Sequence, residues 1–282
     1  MGLVLHGIGT AVPEGRVTQD EALQCAMLLS PPEIRTAPWL PAVYKHSEIR
    51  TRHQTIGRPL VDDLLNGTRT SNSPFLPGTS GSSLGPTTGE RMRIYVREAP
   101  RLAVRAAVDA LTESRFPPES IDHLLTISCT GFAAPGVDLA LIRELGLRPT
   151  VQRTQIGFMG CHAAINGLRV ANAFASAEPS ARVLAVAVEL CSLHYSFAAE
   201  PDRVVANAIF ADGAAAVVGS GSGDGWQVRA TGSHLIPDTA EEMHWRIGDH
   251  GFEMKLSRRV ADRIGTHLRP ALASFLGSHG LS

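Results

Sequence analysis

Apolar positions along this chain keep two rhythms, short continuous runs and stripes spaced by three or four residues. The runs Leu3 to Gly7, Leu124 to Ser128, Val151 to Ile156, Arg182 to Val188 and Ala214 to Val218 read as strands. The centre of 182–188 is Ala-Val-Ala-Val, apolar enough for burial on both faces of a sheet. Between the runs lie helical stretches. Thr18 to Leu29 is one. A long one starts at Thr88 and places Tyr95, Ala99, Leu102, Ala106 and Ala110 on one stripe, and Val137 to Leu145 closes on Gly146, a natural C-cap. After Cys161, Ala164, Leu168, Ala171 and Ala175 recur at spacings of 4, 3 and 4. Alternating strands and helices predict a layered α/β architecture.

The rhythm breaks in two places. Pro31, Pro32, Pro38 and Pro41 interrupt the region after the first helix, and residues 64–87 are rich in Gly, Ser, Thr and Pro and read as a loop. Past residue 222 the pattern thins. Trp226 to Ile236 and His244 to Leu256 read as two strands. Ser257 opens a helix with Val260, Ile264, Leu268, Leu272 and Phe275 on one face, interrupted at Pro270 and ended by Gly277 and Gly280. Such a helix normally feeds the next strand of the sheet it covers. None follows, so the architecture is expected to be cut off.

Composition narrows the function classes. The 282 residues are 44% hydrophobic with a net charge of −1, which gives no general attraction to nucleic acid or acidic membranes. Cys25, Cys129, Cys161 and Cys191 are scattered, without the spacing of a disulfide framework or a metal site. No apolar run is long enough to span a bilayer and no secretion signal is visible, so the cytoplasm is the expected compartment. Gly7 to Gly9 lacks the third glycine of a dinucleotide motif.

The chemistry concentrates on Cys161. It follows a strand, sits on a Gly157/Gly160 bend and opens a helix. There, unpaired N–H groups and the helix dipole are expected to stabilise a thiolate able to hold an acyl group as a thioester. The plain alternative is a small buried hydrophobe.

Seven pieces carry a family resemblance: Gly7-Ile-Gly-Thr-Ala-Val-Pro13, Cys129-Thr-Gly-Phe-Ala-Ala-Pro-Gly136, Leu145-Gly-Leu-Arg-Pro149, Phe158-Met-Gly-Cys-His162, Glu189-Leu-Cys-Ser-Leu-His194, Phe210-Ala-Asp-Gly-Ala-Ala-Ala216 and Trp245-Arg-Ile-Gly-Asp-His-Gly-Phe252. In order and spacing they resemble the type III polyketide synthases, the chalcone synthase-like branch of the thiolase superfamily, in wording nearer the bacterial members. The resemblance implies an αβαβα sandwich of two related halves. Residues 1–222 would be the first half, complete and carrying the nucleophile, and 223–282 only the opening of the second. The histidine and asparagine that work with the cysteine in relatives would fall beyond Ser282, the histidine by roughly ten residues.

The resemblance also assigns a pocket. Phe210 matches an aromatic gate between the acyl-CoA tunnel and the reaction cavity, and Met254 stands at the second gate position. Trp245 occupies a cavity-wall position that is glycine in plant members, and Cys129 and His194 replace small hydroxyl residues. Arg50 and Arg52 match a basic segment that meets the phosphates of coenzyme A. His194 and His250 fall near the pocket wall as candidate proton carriers, although surface or core roles suit most of the eleven histidines better. Asp212 reads as a turn residue.

The activity implied is an acyltransferase that condenses a starter acyl-CoA with malonyl-CoA through a thioester on Cys161. It would give pyrone, resorcinol or chalcone-type products, with CoA thioesters as substrates, no metal or other cofactor, and a homodimer as the assembly. Two alternatives stay open. One is a ketoacyl synthase of fatty-acid type; the other is a remnant that at most binds acyl-CoA or is acylated by it.

Overall fold

The computed structural model describes residues 2–79 and 81–281; Ser80, inside the predicted loop, and the terminal Met1 and Ser282 lie outside the described residues. Strand β1 (Val4–Ala11) leads into β2 (Arg16–Thr18) and helix α1 (Gln19–Leu29). Thr18 starts α1 for a local reason. Its hydroxyl accepts from the Glu21 N–H while the Glu21 carboxylate accepts from the Thr18 N–H, a reciprocal capping box. The proline-broken region forms two short helices, α2 (Pro32–Arg35) and α3 (Leu40–Lys45), followed by β3 (Thr51–His53), which pairs with β2, and α4 (Gly57–Asn66). The expected loop therefore starts at Gly67, three residues later than 64. The Asp63 carboxylate organises its first turn, accepting from Thr68 Oγ1, from the N–H and Oγ1 of Thr70, and from the Ser71 N–H.

Helix α5 (Thr88–Ser114) begins with a second capping box, Thr87 with Glu90. After it come β4 (His123–Ser128), α6 (Val137–Leu145), β5 (Gln152–Gly157), α7 (Ala163–Ala177), β6 (Arg182–Leu190), α8 (Pro201–Ile209) and β7 (Asp212–Ser220). Beyond residue 222 lie β8 (Trp226–Gln227), the hairpin β9 (Met243–Gly248) and β10 (Gly251–Leu256), and α9 (Arg259–Ser278). The main sheet has the order β5-β4-β6-β7-β1-β8. β4 runs parallel to β5 and β6, while β7 is antiparallel to both β6 and β1.

Two helical layers cover this sheet. Helix α5 lies on one face, where its predicted stripe (Tyr95, Ala99, Leu102, Ala106, Ala110) is buried together with Ala103 and Ala107. Alanines let the helix backbone approach the sheet closely, and glycines on β1 complete the fit. A Cβ at Gly9 would fall well inside contact distance of the Ala106 carbonyl oxygen, and one at Gly7 would collide with the Ala110 carbonyl. We therefore expect Gly9→Ala to destabilise the protein by about 1–3 kcal/mol, the usual range for overpacking. A thermal melt checks this; an unchanged Tm would show that the helix can shift at no cost. Helix α7 covers the other face through Ala163, Gly167, Ala171 and Ala175. That line is rotated from the predicted one, leaving Ala164 exposed and Leu168 half-buried.

Three readings change after β7. Of the strand expected over Trp226 to Ile236, only Trp226–Gln227 forms; it extends the main sheet beside β1, and residues 228–236 run without regular structure. The strand expected over His244 to Leu256 is a hairpin folded at Asp249–His250, with Trp245 opposite Met254. Pro270 does not interrupt α9. The ring removes the N–H that would bond the Thr266 carbonyl, but α9 buries none of its residues, so water can satisfy that carbonyl. The apolar stripe of α9, including Ile264, Leu268 and Leu272, is exposed.

Candidate active site

Cys161 sits where β5 hands over to α7. The turn needs unusual backbone: Phe158 has φ +56° and Gly160 has φ +76°. Glycine adopts that region freely, whereas a bulky phenylalanine there costs on the order of 1–3 kcal/mol, strain typical of functional turns. The cysteine is exposed and precedes α7 by two residues, with His162 at the N-cap. Of the expected thiolate stabilisation, only the cysteine's own backbone N–H contributes, and it is outweighed. Desolvation by the packed turn, and then the Glu189 carboxylate, push the Cys161 thiol above its usual value. The Ala163 N–H is already bound to the Gly160 carbonyl, and the charge that acts on the thiol, that of Glu189, is negative. Exposure, not a lowered pKa, distinguishes this cysteine.

Beneath the turn lies a hydrogen-bonded platform that sequence reasoning missed. Glu189, at the end of the apolar β6, accepts from the N–H groups of Cys129 and Thr130 and from Thr130 Oγ1. Thr130 Oγ1 in turn accepts from the Leu190 N–H at 2.8 Å. Burial raises the Glu189 pKa even against these bonds. A lone carboxylate closing a run as apolar as Val183 to Val188 was the available signal, since buried acids occur where donors converge on them. Cys129 is buried, and its sulfur accepts the Gly160 N–H at 3.1 Å, so the platform grips the residue before Cys161.

Four predicted pocket residues converge. Phe210, Met254, Trp245 and His194 line one cleft together with Cys191 and Asn207. Cys161 does not line that cleft; Cys129 lies between them, its carbonyl accepting from Trp245 Nε1 at 2.9 Å. Phe252, inside a quoted motif but given no role there, is the hub of the wall. Its ring stacks on His194 at 4.1 Å and meets Trp245 and Phe158 edge-on, both at 5.8 Å.

The reading of His194 as a proton carrier does not stand. Nε2 bonds the Thr130 carbonyl at 2.6 Å and Nδ1 accepts from the Phe252 N–H at 2.9 Å. A carbonyl only accepts and an amide only donates, so the proton sits on Nε2 and both nitrogens are committed. Burial pushes its pKa down to about 4, with a lesser push from the Arg91 guanidinium. His250 bonds the Gly85 carbonyl through Nδ1 at 3.0 Å and does not line the cleft.

The two arginines separate. Arg50 is exposed. Arg52 is buried, with Nε donating to Gln19 Oε1 and Nη1 to the carbonyls of Asn207 and Phe210. A guanidinium so committed cannot meet a phosphate arriving from solvent; it fixes the end of α8 and the backbone of Phe210 instead. Alternation in β3 turns Arg52 inward, and the sequence pattern alone did not register this. Asp212 is also structural, its carboxylate accepting from the N–H and hydroxyl of Ser192 and from the Thr55 N–H.

Comparison with known proteins identifies the family and the fold. Residues 2–222 match the family model of chalcone and stilbene synthases, N-terminal domain. The chain is 31% identical over 286 residues to the alpha-pyrone synthesis polyketide synthase-like Pks18 of Mycobacterium tuberculosis, covering 99% of this chain and 68% of that protein. It is 31% identical to the 1,3,6,8-tetrahydroxynaphthalene synthase of Streptomyces peucetius subsp. caesius, covering 99% of this chain and 70% of the relative. Among solved structures, PKS-I from the brown alga Ectocarpus siliculosus superposes with a TM-score of 0.87 at 31% identity, over 100% of this chain and 74% of that one. The chain belongs to the chalcone and stilbene synthase family, the type III polyketide synthases, and has their thiolase-type fold.

Proposed function

We propose that this protein is an acyltransferase in which Cys161 accepts a starter acyl group from acyl-CoA and malonyl-CoA supplies the extending carbons. Cys161 Sγ attacks the acyl carbonyl, the bond to the coenzyme A sulfur breaks, and the thiol proton ends on coenzyme A. Loss of carbon dioxide from malonyl-CoA leaves an enolate that attacks the thioester carbonyl, releasing Cys161 and lengthening the chain by two carbons. The observation that carries this reading is the exposed Cys161 on a strained strand–helix turn, bonded through Cys129 to a cleft walled by Phe210, Met254, Trp245 and His194. The names of the relatives, an alpha-pyrone synthase-like protein and a tetrahydroxynaphthalene synthase, point to pyrone or aromatic products. Arg50 remains the residue to meet the coenzyme A phosphates, and the CoA thioesters are the only carriers the scheme requires.

Incubation with a long-chain acyl-CoA and isotopically labelled malonyl-CoA tests the reading. Mass spectrometry should find the acyl group on the peptide carrying Cys161 and label in pyrone or resorcinol products. Acylation spread over Cys25, Cys129 and Cys191 with Cys161 spared would sink it.

We further infer a homodimer formed at the β5 edge. One of the two edge strands of the main sheet, β5, runs directly into exposed Phe158 and Met159, with Phe132 and Ile165 also exposed. Light scattering at high concentration should give twice the chain mass; a monomer at all concentrations would refute it. No helix among the described residues is long and apolar enough to cross a membrane, and a cytoplasmic location fits CoA substrates.

A further inference from the structure

The Cys129–Thr130 segment is held from four directions. Its two N–H groups both donate to Glu189. Its two consecutive carbonyls both accept from ring N–H groups, Cys129 from Trp245 Nε1 and Thr130 from His194 Nε2. The second pair arrives from outside the sheet. Trp245 stands on β9, and His194 is tied to β10 through the Phe252 N–H. His194 and Trp245 also pack edge to face, with ring centroids 5.2 Å apart. The segment then passes its position on, because Cys129 Sγ accepts the Gly160 N–H at 3.1 Å and faces the Gly160 carbonyl at 3.5 Å. Gly160 is the left-handed residue directly before Cys161.

We propose that His194 and Trp245 are positioning residues that clamp the Cys129–Thr130 peptides and thereby hold the Gly160–Cys161 turn in register for acylation. His194 is suited to this because it bridges two backbone groups with a fixed tautomer, donating at one nitrogen and accepting at the other. Neither ring transfers a proton. The low pKa of His194 fits a ring kept neutral across the working range. The inference rests on Cys161 as the acyl acceptor, and a readout that requires no polyketide product keeps the two separable.

The test measures two rates on the full chain. The first is alkylation of Cys161 by iodoacetamide as a function of pH, followed by peptide mass mapping. The second is single-turnover acylation by a long-chain acyl-CoA, with the dependence on its concentration. In H194L the Thr130 carbonyl and the Phe252 N–H lose their partners, and water reaches the platform. The alkylation midpoint should fall by about one pH unit as the thiol gains hydration. The limiting acylation rate should fall about tenfold, with half-saturation little changed. H194Q, which can donate and accept across the same gap, should restore both. W245F keeps an aromatic ring but removes the indole N–H that bonds Cys129, together with part of the packing area; it should fall between them, and it serves if H194L does not fold. The proposal is overturned if H194L or W245F leaves both rates at the original values, or if H194Q is as impaired as H194L. Failure of the acylation assay in the unmodified chain, with the midpoint shifts intact, would overturn the proposed function and leave the clamp standing.

Discussion

Cys161→Ala is expected to lower covalent acylation by acyl-CoA more than about 10³-fold while leaving the fold intact, because no other thiol can replace the one removed. Burial drives Cys25 up to about 11, with Glu21 adding to the shift. Burial likewise pushes Cys191 well above the ordinary thiol range, with Asp212 and Glu189 close by. Cys129 is buried, and its sulfur is engaged with Gly160 on both sides. Cys161 is the exposed one of the four. The same exposure makes the substitution mild for stability, within about 0.5 kcal/mol, since little packing is removed. Intact-mass measurement after incubation with acyl-CoA reads the first effect and a thermal melt the second. An alanine variant that still gains one acyl group per chain would place the nucleophile elsewhere. The raised Cys161 pKa adds a pH signature. Acylation should keep rising with pH above the ordinary thiol value, without a plateau near neutrality.

The second large effect is on acid stability, through His194. Its pKa is about 4 in the folded protein against 6.5 for an unhindered imidazole. Between these values the unfolded chain binds a proton that the native state refuses. The stabilisation is therefore fully present above pH 6.5, is lost as pH falls toward 4, and is gone below it. Its full size, set by the gap between the folded and unfolded values, is on the order of 3 kcal/mol. Urea midpoints measured from pH 7 to pH 4 should show this loss in the unmodified protein. In H194Q the slope should be shallower by that amount, because glutamine does not titrate. Equal slopes in the two proteins would mean that the ring protonates in place.

Several of these features are legible in the chain alone. Thr18 announces the start of α1, the Tyr95-to-Ala110 stripe defines the buried face of α5, and Gly146 marks the end of α6 to the residue. All are local, governed by spacing within a few turns of chain. The convergence of Phe210, Met254, Trp245 and His194 was also legible, through motif order and not through periodicity. Tertiary structure decided the rest. Arg52 sounded like a phosphate ligand because charge is visible in a sequence and the direction of a side chain on a three-residue strand is not. The helix N-terminus at Cys161 suggested a thiolate because the dipole is a local property, while the opposing desolvation and the Glu189 carboxylate come from β6 across the sheet. His194 looked like an acid–base group until its two nitrogens were found bonded to residues 64 positions before it and 58 after. The sequence by itself determined the layered α/β class and its capped helices and singled out Cys161 as the candidate nucleophile, since these follow from short-range pattern and motif. Which polar groups are free to react was settled by the tertiary structure, because hydrogen-bond partners and desolvation are set by segments distant in sequence and close in space.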